Sequence, residues 1–140
     1  MEFLLYLTPE AREILDLLYK KNYIVKENIE LCKKHKEFFG YADSRKKFVI
    51  CTDNIKKSGH DVKFYINETV YHESVHVAHY CNGFNPFGIS LNKMRLSDDK
   101  LYSLNNSLRL SNTKRRIEHE AYWMEDKPNE VKYVLKKYCF

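Results

Sequence analysis

At 140 residues with 44% hydrophobic content, the chain is long enough for one core, so a single domain over 1–140 is expected. Its 24 Lys+Arg against 19 Asp+Glu give a net charge of +5, but the basic residues are scattered in pairs such as Lys20-Lys21, Lys33-Lys34 and Lys136-Lys137, which reads as a solvated surface and argues against a nucleic-acid stripe. The opening run Met1-Glu2-Phe3-Leu4-Leu5-Tyr6-Leu7 has an acid where a signal peptide has bases and is too short to span a membrane, while Cys32, Cys51, Cys81 and Cys139 form no C-x-x-C pair; both point to reduced, buried thiols in the cytoplasm, or the host cytoplasm for a chain of viral origin.

Thr8-Pro9-Glu10 sets a cap, a first-turn proline and an early acid ahead of Ile14, Leu15, Leu17 and Leu18, predicting a helix to about Lys21. Ile29, Cys32 and Phe39 recur near helical spacing before Gly40, which predicts a second helix over about Lys26 to Phe39. Lys47 to Thr52 is a β-branched and aromatic run closed by Asp53-Asn54, the best strand in the chain and a candidate for the only one. A helix then runs from about Phe64 to Cys81 and stops at Asn82-Gly83. The stretch from Phe84 to Leu96, with Pro86 and Gly88, reads as loop. Ser97-Asp98-Asp99 caps a short helix through Leu104, Ser111-Asn112 a longer one through Met124, and a last helix follows Pro128 with Val131, Val134 and Leu135 on its apolar side. The expected class is α+β, mainly helical, with a small sheet.

The Phe64 to Cys81 helix carries His72-Glu73-Ser74-Val75-His76. Histidines four apart on a helix point the same way one turn apart, so their imidazoles can share a zinc ion at about 2.0 to 2.1 Å. The residue after the first histidine lies beside the metal, where Glu73 can take a proton from a zinc-bound water. An H-E-x-x-H pattern arises by chance in roughly two chains per hundred of this composition, so its placement on a helix matters. On the helical wheel Tyr65, Thr69, His72, His76 and His79 form one stripe, expected to face a cleft or solvent, and Ile66, Val70, Val77 and Ala78 pack on the opposite side. The plainer reading is a solvated polar face. His79 lies too far along the axis from His72 to share one ion and is expected at the rim.

A catalytic zinc needs a third protein ligand. Arg116-Ile117-Glu118-His119-Glu120-Ala121-Tyr122-Trp123-Met124 offers candidates on a predicted helix, where phase sets Glu120 among Ile117, Trp123 and Met124 and turns Glu118 to the far side near Tyr122. A carboxylate among core residues requires a metal or an ion pair, so Glu120 is either a ligand or the partner of a base such as Arg116.

His72, Glu73 and His76 with a later Glu120-Ala121 resemble the gluzincin class of zinc metallopeptidases, above all its smallest members, the minigluzincins and related phage or bacterial proteins. The resemblance covers about Phe48 to Glu125. It implies a zincin-like core binding one zinc through His72, His76 and Glu120, with Glu73 as general base, hydrolysing a peptide bond in a peptide or protein substrate. It also implies an edge strand that binds extended peptide, which Phe48 to Cys51 would supply. The sequence departs from the pattern at Met124, where several gluzincins place an aspartate that orients a zinc histidine; Glu118, Glu125 and Asp126 are the candidate substitutes. For the oxyanion donor only His119, Tyr122 and Tyr102 suggest themselves, each with an ordinary packing or surface role as its alternative. The rival reading is a zinc-binding, catalytically idle interaction module.

Overall fold

The computed structural model describes residues 1–110 and 113–140. After a 3-10 turn over Glu2–Tyr6 come α1 (Pro9–Lys20), β1 (Ile24–Glu27), α2 (Glu30–Lys34), β2 (Gly40–Ala42), β3 (Lys47–Ile50), α3 (Thr52–Lys57), α4 (Val62–Cys81), α5 (Asp98–Leu110), α6 (Arg115–Met124) and α7 (Pro128–Cys139). The class is the expected one, mainly helical α+β with a small mixed sheet.

Local chemistry sets the first helix: the Thr8 hydroxyl accepts from the Ala11 amide at 3.2 Å, and Ala11, Ile14, Leu15 and Leu18 form its buried stripe. The second expected helix is mostly absent. Ile24 to Glu27 form a strand instead, Asn28 turns the chain at φ 54°, and α2 has only five residues. What ends α2 is a side chain from elsewhere: the Asn54 amide donates to the carbonyls of Cys32, His35 and Phe38 at 2.8 to 3.1 Å. Carbonyls satisfied this way need no further helical turn. Gly40, expected as a helix cap, lies in β2.

The sheet has three strands in the order β1-β3-β2, with β3 parallel to β1 and antiparallel to β2. Lys47 to Ile50 is thus not the only strand but the central one. Phe48, Val49 and Ile50 are fully buried there.

Asp61 caps α4, its carboxylate accepting from the Phe64 amide at 2.9 Å, and Gly83 at φ 68° takes the left-handed turn beyond the helix end. This 20-residue helix packs against α1, α3, α6, α7 and the sheet. Its two sides therefore do not divide into packed and wet: Ile66, Val70, Val75, Val77 and Ala78 are buried, and so are His76 and His79. Among the described residues, no helix is long and apolar enough to cross a membrane. The expected α5 runs past Leu104 to Leu110. Lys114 precedes α6, and the cap expected at Ser111-Asn112 lies outside the described residues.

All four cysteines are paired, Cys32 with Cys51 and Cys81 with Cys139, not free as expected. The second pair joins the C-terminal ends of α4 and α7. Disulfides belong to oxidising surroundings, so a cytoplasmic location no longer has the cysteines as its ground.

Candidate metal centre

His72 and His76, one turn apart on α4, both aim Nε2 at Glu118 of α6. The His76 Nε2 lies 2.8 Å from Glu118 Oε2, and the His72 Nε2 lies 3.4 Å from Oε1. One donor atom from each of the three lies within 4.8 Å of the others, and the group could hold a metal ion. The electrostatics demand positive charge there. Burial alone would push the Glu118 carboxyl up, yet His76 and His72 hold it far below the ordinary carboxylate range. Burial likewise opposes a charged His72, but Glu118 and Glu125 raise its pKa well above the usual value. Without metal, an imidazolium proton meets the charge of Glu118; a divalent cation at the same point would replace it.

The carboxylate that the structure groups with the two histidines is Glu118 and not Glu120. At roughly 100° per residue, the buried face of α6 spans Glu120, Met124, Ile117, Ala121 and Glu118, so the two acids sit on opposite flanks of one arc centred near Ala121. A wheel centred on Ile117 and Met124 turns Glu118 outward, which is the misreading the sequence invites. Glu120 is fully buried but meets neither metal-side histidine nor Arg116. Its Oε1 lies 2.9 Å from His79 Nε2, and both its oxygens accept from the Phe87 amide at 3.0 Å. Arg116 instead donates to the Ile89 carbonyl at 2.7 Å.

His79 is no rim residue. It is fully buried, with burial lowering its pKa against the opposing pull of Glu120. Of the candidates for orienting a zinc histidine, Glu125 faces His72 Nδ1 at 3.7 Å, whereas Asp126 is taken by Lys127 and Lys100. Glu125 also shares a hydrogen bond with Glu68, and burial together with the Glu125 charge pushes the Glu68 carboxyl up to about 8. Sequence reasoning missed Glu68, although its position four before His72 puts it on the same face of α4.

Glu73 feels the charges of His72, His76 and Glu118; burial raises its carboxyl above the ordinary range and the two histidines oppose the rise. It also lies against the sheet edge: a methyl group at Gly40 would stand 3.0 Å from Glu73 Cγ. The edge strand beside the site is β2, since β3 is central and has partners on both sides. Phe39 accepts from the Cys51 amide and Asp43 donates to the Lys47 carbonyl. Alternation in an antiparallel pair then turns the backbone groups of Gly40 and Ala42 away from β3. The remaining candidates have other surroundings. His119 Nε2 meets the Met94 carbonyl, Tyr102 is 69% exposed, and the Tyr122 ring packs edge-on to His72 with its hydroxyl on Ser107 and the Ser103 carbonyl.

Residues 3–140 match the family described as Domain of unknown function (DUF8637), and the chain belongs to it. No curated protein and no solved structure matches the chain.

Proposed function

We propose that this protein is a zinc-dependent peptidase in which His72, His76 and Glu118 hold the ion and Glu73 is the general base. The observation that carries the reading is the convergence of two Nε2 atoms on one buried carboxylate with Glu73 beside them. Two imidazoles and a carboxylate are a donor set that catalytic zinc uses, and the site's demand for positive charge fits such an ion. When bound, zinc would supply a Lewis acid that polarises a carbonyl and acidifies water.

The chain's own residues supply the rest. Glu73, its carboxyl raised above the ordinary range by burial, is a stronger base than an exposed glutamate; it takes the proton of the attacking water and returns it to the departing amine, so the peptide bond is replaced by an acid and an amine. The outward backbone groups of Gly40 and Ala42 suit an extended peptide laid antiparallel on β2, with its carbonyls passing over Glu73. Glu125 at Nδ1 orients His72.

The test is metal analysis of the purified protein followed by cleavage of a mixed peptide library. One zinc per chain and cleavage by the wild type, with Glu73→Gln keeping zinc but losing at least a hundredfold in rate, is the expected result. Zinc without cleavage of any peptide would leave the idle metal-binding module as the function. No metal after loading would end both readings.

A further inference from the structure

His79 and Glu120 are fully buried, ionisable and outside the chemistry proposed above. They are not isolated from it. His76 Nδ1 lies 3.3 Å from His79 Nδ1, and His79 Nε2 lies 2.9 Å from Glu120 Oε1, which in turn accepts from the Phe87 amide. The chain of contacts runs from the metal-side ring through a second histidine to a carboxylate on α6, and ends on the backbone of the segment after α4.

With a cation in place of the proton between His76 Nε2 and Glu118, which lie 2.8 Å apart, only one placement of protons satisfies neutral rings in this chain. If His79 carries its proton on Nε2, it donates to Glu120, and its bare Nδ1 accepts from His76 Nδ1–H. His76 Nε2 is then bare and free to bind a metal. In the reverse placement His79 Nδ1–H donates to His76, which puts a bare Nε2 against the Glu120 carboxylate at 2.9 Å, two acceptors face to face, and turns a proton on His76 Nε2 toward the metal position. The His79 ring is also braced: Phe87 stacks on it with centroids 4.3 Å apart, and on its other side Tyr138 stacks on Phe87 at 5.0 Å.

We infer that His79 and Glu120 are positioning residues that lock the His76 ring with Nε2 presented to the metal, an inference that rests on the metal reading of the site. Neither touches the ion or the substrate. Their contribution is to hold the ring rotation and to keep the remaining proton on Nδ1 when a metal replaces the proton between His76 Nε2 and Glu118.

Two measurements test this on the full chain. The first is zinc affinity by chelator competition in the wild type, His79→Phe and Glu120→Gln, with circular dichroism to establish that each is folded. His79→Phe keeps the stack on Phe87 and removes both nitrogens; its zinc affinity is expected to fall by about tenfold to a hundredfold. Glu120→Gln keeps an acceptor for His79 and loses the charge, so a smaller loss is expected. The second is ring 15N shifts of the zinc-loaded wild type, which needs no variant: His76 protonated at Nδ1 and His79 at Nε2 is expected. Folded variants that bind zinc as tightly as wild type, or the opposite tautomers, overturn the inference while leaving the metal reading intact. A wild type that takes up no zinc ends the metal reading and the inference with it.

Discussion

Glu118 and Glu120 stand two residues apart on one short helix and meet opposite surroundings, one facing the Nε2 atoms of His72 and His76, the other capping His79 from behind. The His72 pairing has a pH consequence. Zinc must displace the proton that Glu118 and Glu125 stabilise on His72, so affinity should fall by about tenfold per pH unit once the pH drops below the raised His72 pKa, as zinc titrations at a series of pH values would show. Glu68 gives a second dependence, in the metal-free protein. Its folded pKa, raised from 4.5 to about 8, lies above the unfolded value, so between those values the folded chain keeps a proton that the unfolded chain has lost. Stability from this group is complete below about pH 4.5 and drains away as the pH rises through 8. Denaturant midpoints of wild type and Glu68→Gln should therefore diverge in favour of the variant across that window. Equal midpoints at every pH would remove Glu68 from the account. At this scale the H-E-x-x-H pattern and Glu73 were visible in the sequence because spacing on one helix decides them. The choice of Glu118 was not, because it depends on which flank of α6 meets α4, and that is set by packing.

Among the elements, β2 was hidden for a comparable reason. Phe38, Phe39 and Tyr41 around Gly40 carry apolar residues that suit a helix or a strand equally, and the deciding contacts are with Asn54 and β3, both later in the chain. Gly40 also has a task that no local rule reveals. A methyl group there would come within 2.4 Å of Thr69 Cγ2 and 3.2 Å of the Val49 carbonyl as well as crowding Glu73. Thr69 is β-branched and has its hydroxyl committed to the Tyr65 carbonyl, so it has little room to yield. Gly40→Ala should cost about 1–3 kcal/mol of stability, read from the denaturant midpoint, and should depress any cleavage beyond what the lost stability accounts for, since β2 is pushed off the Glu73 face. By contrast, the start of α1, the end of α4 and the start of α7 were legible, since Thr8, Gly83 and Pro128 act through their own backbone neighbours, whereas α4 starts at Val62 behind an Asp61 cap, ahead of the expected Phe64.

Over the whole molecule, α4 is enclosed by helices and the sheet, and the Cys81–Cys139 bridge fastens its end to α7 across 58 residues of sequence. Cysteine spacing alone could not reveal either pair, since the partners meet only when the helices pack. Titration of the native protein should find no reactive thiols, and Cys139→Ser should lower stability by about 2–5 kcal/mol, measured with and without reductant. A variant as stable as the wild type under oxidising conditions would show that the bridge does not brace α4.

The enclosure of α4 also bears on how such a chain can change over generations. His76, His79, Glu118 and Glu120 complete one another's hydrogen bonds in a buried setting, so losing any one strands its neighbours, and a lineage can give them up only together. Among the described residues Glu73 has no such bond: the two histidines, Glu118 and Glu125 reach it through charge, and a glutamine fills the same space. Under the proposed function, drift that abolished hydrolysis would thus pass through Glu73 first and leave the histidine–carboxylate core standing.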